Sequence, residues 1–121
     1  MKIVIRMDDQ ILSATLNNSA AARDFAALLP LKLTLEDYAK TEKIANLPGR
    51  LSTADSPAGT SAQAGDITYY APWGNLAIFY KPFGFAAGLV TLGKLDRGAQ
   101  GMNFSGLKNV VIEAAERGVN S

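Results

Sequence analysis

The sequence feature that most constrains the fold is the stretch GDITYYAPWGNLAIFY, in which two apolar segments flank a Pro-Trp-Gly-Asn turn. Pro72 fixes its own φ and lacks a backbone donor, while Gly74 and Asn75 tolerate the positive φ that tight hairpin turns require. The flanking residues 66–71 and 75–81 are rich in aromatic and β-branched side chains, which favour strands. The stretch therefore predicts an antiparallel hairpin.

The two faces of this hairpin are both apolar. Side chains alternate between the faces of a strand, so each face carries every second residue. We assign to one face Thr68, Tyr70, Leu76, Ile78 and Tyr80, and to the other Ile67, Tyr69, Ala71, Ala77 and Phe79. A half-exposed antiparallel strand normally alternates apolar and polar residues. We therefore expect both faces of the hairpin to be covered.

The rest of the chain adds one helix, at about 19–29, and several strands. Asn17, Asn18 and Ser19 offer N-capping side chains before the alanine-rich AAARDFAALL. Residues 39–46 fit either a helical turn or a strand. Alternating or β-branched patterns predict strands at 2–7, 10–16, 31–38, 89–95 and 107–115. The sum predicts a mainly β fold: one domain over 1–121, built as a closed or nearly closed antiparallel β-barrel with the helix capping an end.

Two segments are predicted to be irregular. Residues 47–65 are rich in Gly, Pro, Ser, Thr and Ala, and they predict a long surface loop that is either functional or a plain connection. Residues 82–88, PFGFAAG, predict a turn-rich connector whose Phe83 and Phe85 act either as lid residues or as a buried plug. We also expect residues 118–121 to form a frayed tail.

The chain contains no histidine and no cysteine. Ser-His-Asp triads, thiolate nucleophiles, imidazole metal sites and zinc-thiolate sites are therefore excluded. Asp8 and Asp9 form a turn pair without a third carboxylate suitably spaced for a metal. We accordingly expect no metal and no cofactor.

The charge and hydropathy patterns exclude two classes of partner. Twelve basic and eleven acidic residues give a net charge of +1, and no basic cluster is present, so we expect no nucleic-acid partner. The N-terminal apolar run is too short for a signal sequence, and no run approaches the roughly eighteen apolar residues of a membrane span. The sequence thus predicts a cytoplasmic protein without a membrane partner, which fits the lack of cysteine.

The order of the motifs resembles that of the cyclophilins. AAARDFAALL is similar to the cyclophilin helix T-A-x-N-F-x-x-L at Ala22, Phe25 and Leu28, LGKLDRG looks like F-G-K-V-x-x-G, and LKNVVIEA resembles the closing strand. The central hairpin followed by LGKL looks even more like the small prokaryotic cyclophilin-like proteins, a largely uncharacterised branch of the superfamily. The resemblance covers nearly the whole chain and implies a barrel with a groove on its outer surface.

The resemblance implies peptidyl-prolyl isomerisation, in which an X-Pro bond rotates over a barrier of roughly 18–20 kcal/mol. Cyclophilins use an arginine, a glutamine and a histidine, and this sequence aligns Tyr69, Ala77 and Leu89 with them. The arginine stabilises the proline nitrogen as it loses amide character, a role that neither tyrosine nor alanine reproduces. An isomerase built from this chain would need Arg50 or Arg97 to reach the site from a loop.

We therefore expect a binding protein rather than an enzyme, with a divergent peptidyl-prolyl isomerase as the alternative. A small ligand, a peptide, a protein partner or a second copy of the chain would occupy an apolar groove on the hairpin. Trp73 either packs on the barrel rim or contacts this ligand, and the neighbouring loops either cover the groove or leave it open. The residues assigned to the groove are Ile67, Tyr69, Trp73, Ala77, Phe79, Phe83 and Phe85.

Overall fold

A computed structural model describes residues 1–115 of the chain. These residues form ten strands, one α-helix and a 3₁₀ helix at Gln100–Met102. The elements are, in chain order, β1 (Lys2–Arg6), β2 (Ile11–Leu16), α1 (Ala20–Ala27), β3 (Leu31–Tyr38), β4 (Glu42–Asn46), β5 (Gly59–Ala62), β6 (Asp66–Tyr70), β7 (Asn75–Phe79), β8 (Phe83–Ala87), β9 (Leu89–Leu95) and β10 (Lys108–Ala114). The predicted tail at 118–121 lies outside the described residues.

Eight of the described strands close into an antiparallel barrel in the order β1-β10-β3-β4-β7-β6-β9-β2, and β2 pairs with β1 again. The predicted mainly β barrel is thereby confirmed. The ambiguous segment 39–46 turns out to be a tight turn followed by β4. In this turn Ala39 and Lys40 have φ of 56° and 54°, and the Asp37 carboxylate accepts a hydrogen bond from the Lys40 backbone N at 3.0 Å.

The single α-helix of the described residues begins where the sequence predicts. Ser19 is its N-cap, and its Oγ accepts a hydrogen bond from the Ala22 backbone N at 3.1 Å. Ala21, Ala22 and Phe25 are buried in the same cluster as the barrel interior. α1 connects the last residue of β2 to the first residue of β3. It therefore covers the end of the barrel where these two strand ends lie. No helix in the described part of the chain has the length and apolarity needed to cross a membrane.

The closure of the barrel depends on a glycine in the seam between β2 and β9. Gly93 lies opposite Leu16, and a Cβ atom at Gly93 would lie 2.8 Å from Leu16 Cα. Such a distance is shorter than any ordinary carbon contact, so a larger residue would hold the two strands apart. Glycine in a strand often marks this kind of close backbone approach.

A buried lysine closes the opposite end of the barrel. The Lys43 side chain is only 1% exposed, and its Nζ donates to the Phe104 carbonyl at 2.6 Å and to Asp37 Oδ1 at 3.1 Å. The same ammonium lies 4.2 Å from the centre of the Phe104 ring. The Tyr80 hydroxyl also donates to Asp37. Lys43 thus satisfies an acceptor on each of two chain segments that meet at this end.

The two segments predicted as irregular contain strands, so that prediction is wrong. β5 and β8 pair with each other as a separate two-stranded antiparallel sheet, which we call the flap. Its sequences, GTSA and FGFAA, are rich in residues with low strand propensity, and each strand has its partner far along the chain. Backbone hydrogen bonds join Gly88 N to the Ala58 carbonyl at 2.8 Å and Ala71 N to the Gly88 carbonyl at 2.9 Å, tying the flap to the hairpin turn.

Candidate functional site

The register of the central hairpin decides which side chains face outward. Tyr70 pairs with Asn75 and Tyr69 with Leu76, and paired residues point to the same face. The inward face therefore holds Ile67, Tyr69, Leu76 and Ile78, while the outward face holds Thr68, Tyr70, Asn75, Ala77 and Phe79. The sequence assignment of Ile67 and Tyr69 to the groove is wrong, because the turn pairs odd-numbered residues of β6 with even-numbered residues of β7.

Tyr69 belongs to the barrel core. Its side chain is 1% exposed, and its hydroxyl accepts a hydrogen bond from the Leu51 backbone N at 3.3 Å. The position that the resemblance aligns with the cyclophilin arginine therefore points into the barrel. The residues aligned with the glutamine and the histidine, Ala77 and Leu89, do face outward and are buried there.

We expect Tyr69→Phe to lower the free energy of unfolding by about 1–3 kcal/mol, because the buried Leu51 N–H loses its partner. Urea denaturation measures this loss. Binding at the outer face should stay unchanged, since the hydroxyl points away from it. Unchanged stability combined with lost binding would instead place Tyr69 in the site.

The flap covers the outward face of the hairpin. Ala77 and Phe79 are buried in one cluster with Ala62 of the flap and Leu89 of β9. Both faces of the hairpin are therefore covered, as the sequence predicts. Flap and barrel do not meet everywhere, and between them lies a cavity of about 200 Å³. Its lining residues are Tyr38, Glu42, Tyr70, Trp73, Asn75, Phe79, Phe83, Ala86 and Leu89.

A bulge in the flap decides which of its side chains face the cavity. Thr60 pairs with Ala86 but Ala62 pairs with Phe83, so the alternation shifts between them. Phe83 and Ala86 consequently both line the cavity. Phe85, which the sequence assigns to the groove, does not line this cavity and is 69% exposed.

Aromatic rings form most of the cavity wall. Trp73 makes edge-to-face contacts with Tyr38 and Tyr70, at 5.5 Å and 5.4 Å between ring centres. On the side of the flap, the ring centres of Phe79 and Phe83 lie 5.7 Å apart. Trp73, 56% exposed, stands at the mouth together with the exposed Tyr38 and Phe83. The cavity thus opens to solvent through an aromatic rim.

A carboxylate and an amide side chain line the cavity together with the aromatic rings. Asn75 is 3% exposed, and its Oδ1 has no hydrogen-bond partner among residues 1–115. Glu42 lies between Tyr38 on β3 and Phe79 on β7, directly opposite each of them across the strands. Burial raises the pKa of the Glu42 carboxyl, and the negative charge of Asp37 adds to this rise. The lining of the cavity therefore combines a partly buried carboxylate and a buried amide with aromatic rings.

The structure does not bring the two candidate arginines together. The Arg50 guanidinium donates to the Ala71 carbonyl at 3.0 Å, beside the hairpin turn that carries Trp73. Arg97 follows the far end of β9, whose first residue, Leu89, lines the cavity. A seven-residue strand spans about 20 Å. Arg97 is therefore remote from the cavity, and Arg50 lies beside the hairpin turn without lining the cavity.

Of the residues assigned from sequence, Trp73, Phe79 and Phe83 line the cavity, and Ala77 lies beneath the flap. The lining residues missed are Tyr38, Glu42, Tyr70, Asn75, Ala86 and Leu89. A correct hairpin register would have identified Tyr70 and Asn75. Tyr38 and Glu42 reach the site only because β3, β4 and β7 are neighbours in the barrel, which no local pattern encodes.

Comparisons with known proteins agree with this architecture. A family model described as "Cyclophilin-like family" matches residues 5–113. No curated protein matches the sequence. Among solved structures, the solution structure of the hypothetical protein AF2241 from Archaeoglobus fulgidus is similar, with a TM-score of 0.68 at 18% identity over 95% of both chains. At that identity the likeness concerns the fold alone.

Proposed function

The chain belongs to the cyclophilin-like family, and from that premise we propose that it is a non-catalytic binding protein that holds a small ligand between its barrel and its flap. The observation that carries the proposal is the aromatic cavity, whose lining includes Asn75, a residue with a buried Oδ1 that has no hydrogen-bond partner among residues 1–115. A buried polar atom without a partner costs about 1–3 kcal/mol. A ligand that donates a hydrogen bond to Asn75 removes this cost.

The size of the cavity favours a small ligand over an extended peptide. Pockets for drug-sized molecules measure roughly 300–1,000 Å³, and this cavity has about 200 Å³. The flap also covers the part of the outer face that an extended chain would need, since Ala77 and Leu89 are buried beneath it. One compact group fits such a site better than a peptide backbone does.

The same residues argue against catalysis. Isomerisation needs a donor aimed at the proline nitrogen, and within the described residues no arginine or lysine lines the cavity. Ala77 and Leu89 have no polar side-chain atoms. The proposed function is therefore binding.

The fluorescence of Trp73 provides a direct test, because it is the only tryptophan in the chain and stands at the mouth of the cavity. We use two probes of the same shape, choline and its neutral isostere 3,3-dimethylbutanol, in which carbon replaces nitrogen. At least one of them is expected to change the emission in a saturable manner. An emission that neither probe changes would contradict the proposal.

Phe83→Ala and Phe85→Ala form a matched pair for this titration. Both remove a phenyl ring from β8, but only Phe83 lines the cavity. We expect Phe83→Ala to weaken probe binding about tenfold, since it deletes a large apolar contact. Phe85→Ala is expected to leave binding unchanged. Equal effects of the two substitutions would mean that the probes bind elsewhere.

A divergent peptidyl-prolyl isomerase is the second candidate, and the position of Arg50 beside the hairpin turn is the observation in its favour. A proline-isomerisation assay separates the two functions. Binding without catalysis predicts no rate enhancement over buffer. Turnover at substoichiometric protein that is lost in Arg50→Ala would establish the isomerase instead.

A second copy of the chain is an alternative occupant of the aromatic rim. Exposed aromatic patches often mark contacts between proteins, and Trp73 and Phe83 are both exposed. Sedimentation at micromolar concentration distinguishes the two occupants. The small-ligand proposal predicts a monomer, whereas a dimer broken by Trp73→Ala would assign the rim to self-association.

A further inference from the structure

The geometry of the cavity points to the class of ligand: we infer that it binds a small organic cation, an alkylammonium group that also carries a hydrogen-bond donor. This inference rests on the proposed binding function and makes it more specific. It follows from three features of the same cavity: the aromatic wall, a carboxylate with no ion-pair partner among residues 1–115, and a lining amide whose oxygen has no donor within the same residues.

The aromatic wall suits a cation. Five aromatic residues line the cavity: Tyr38, Tyr70, Trp73, Phe79 and Phe83. Aromatic rings attract ammonium groups through the negative potential of their faces, tryptophan most strongly, and cages of such rings recognise quaternary ammonium ligands. Rings alone also accept neutral apolar ligands, so the polar residues of the cavity determine which charge the ligand carries.

Glu42 supplies the complementary charge. It stands in a row across three strands, with Tyr38 opposite it on one side and Phe79 on the other. Directly opposed Cβ atoms lie about 4.5–5.5 Å apart, so the carboxylate lies among aromatic side chains. None of the ion pairs found within residues 1–115 involves Glu42. A partly buried carboxylate is stabilised by a nearby positive charge, and a cationic ligand provides one.

Asn75 adds the requirement for a donor. Asn75 lines the cavity, and its buried Oδ1 has no hydrogen-bond partner in the described part of the chain. An N–H of a protonated amine, or a hydroxyl attached to a quaternary ammonium, completes this hydrogen bond. An anionic ligand would be repelled by the Glu42 carboxylate and is disfavoured.

The surrounding charges leave Glu42 as the residue that responds to pH. The other titratable side chains lining the cavity are the phenols of Tyr38 and Tyr70. Asp37 on β3 adds like-charge repulsion, and Lys43, the next residue of β4, points to the opposite face, where it pairs with Asp37. A quaternary ammonium has no titratable proton. Its affinity should therefore fall as the pH is lowered through the raised pKa of Glu42.

The test compares choline with its neutral isostere by fluorescence or calorimetric titration of the whole chain. We expect choline to bind about tenfold or more tightly than the isostere, because only choline gains the attraction of the rings and the carboxylate. Glu42→Gln keeps the shape of the side chain and should reduce this preference to near unity. Glu36→Gln removes an equal charge from an exposed residue of β3 that does not line the cavity, and it should keep the preference.

The outcomes separate this inference from the proposed function. Isostere binding equal to or tighter than choline binding would overturn the inference and leave the binding function standing. A preference for choline that survives in Glu42→Gln would overturn it as well. Failure of both ligands to bind would overturn the inference and the proposed function together.

A third titration distinguishes the two sources of an alkylammonium group. N-acetyl-trimethyllysine amide presents the same cation on a peptide unit, whereas choline presents it as a free molecule. Tighter binding of choline would assign the site to a free amine, and tighter binding of the lysine derivative would assign it to a protein side chain. Either result supports the shared chemistry, and binding of neither cation contradicts it.

Discussion

Replacing Ala86 with tryptophan is expected to abolish the binding of choline and of its neutral isostere while leaving the barrel folded. Ala86 is the smallest side chain lining the cavity and projects into it from the flap. An indole ring at this position fills the space that a ligand needs. It also buries additional apolar surface against Phe79 and Leu89, which contributes stability at roughly 25 cal/mol per Å².

The matched control is Ala87→Trp. Ala87 is the next residue of β8, exposed, and absent from the cavity wall. We expect this variant to bind both probes as the unmodified protein does, and we expect thermal unfolding to show both variants folded. If a folded Ala86→Trp variant still binds the probes as tightly as the unmodified protein does, the cavity is not the binding site.

The second large effect concerns the barrel end closed by Lys43. We expect Lys43→Ala to lower the free energy of unfolding by about 3 kcal/mol, because the Phe104 carbonyl and Asp37 lose a buried charged partner. The Asp37 carboxylate is partly exposed to solvent, which can still hydrate it when Lys43 is removed. The expected loss therefore lies at the lower end of the range for breaking a buried ion pair. Urea denaturation measures the difference.

Lys32→Ala serves as the control, since Lys32 is an exposed lysine on neighbouring β3. Exposed substitutions of this kind change stability by no more than about 0.5 kcal/mol. Ligand binding should persist in folded Lys43→Ala, because Lys43 faces the barrel interior. Equal stabilities of the two variants would show that the buried lysine contributes nothing.

The same cluster predicts how stability depends on pH. The hydrogen bond from Tyr80, followed by those from Lys43 and Lys40, lowers the pKa of Asp37. The stability that Asp37 contributes is therefore present above the ordinary aspartate pKa and is lost as the pH falls through the lowered one. Unfolding measured against pH should show this acid-side loss reduced in Asp37→Asn. An unchanged acid-side slope would contradict it.

Tyr80 makes the stability of the folded protein depend on pH in the alkaline range. Burial and the hydrogen bond to Asp37 raise the pKa of Tyr80 to about 12. Its neutral form is thus favoured in the folded protein, so this contribution is present below the ordinary tyrosine pKa of 10.0 and is lost as the pH rises towards 12.

The barrel was predictable from the sequence because its strongest local signals agree with the fold. The central hairpin, the helix after Ser19 and the closing β10 each carry a local pattern that favours the element found in the structure. The flap was not predictable in this way. β5 contains no large side chain, and its pairing with β8 is stabilised by contacts distant in sequence.

The site was predictable only in part, because the pairing register of the strands decides on which face of the sheet each side chain lies. Trp73, Phe79 and Phe83 could be assigned to the site from the sequence because they are aromatic residues near turns. Tyr69 was misplaced because a single step in the pairing of β6 with β7 moves a side chain to the other face. Glu42 and Asn75, on which the proposed ligand class depends, carry no distinctive sequence signal, and their place in the site follows only from their burial and their cross-strand neighbours.

The central claim is that function resides in the cavity between barrel and flap, and mapping chemical-shift changes in ¹H–¹⁵N NMR spectra tests it most directly. In separate titrations with choline and with its neutral isostere, we predict perturbed amides in β4, the turn between β6 and β7, and the flap. The Trp73 indole N–H should shift with them. Perturbations confined to the barrel end around Lys43 or to the loop at Arg97, or none with either probe, would contradict the claim.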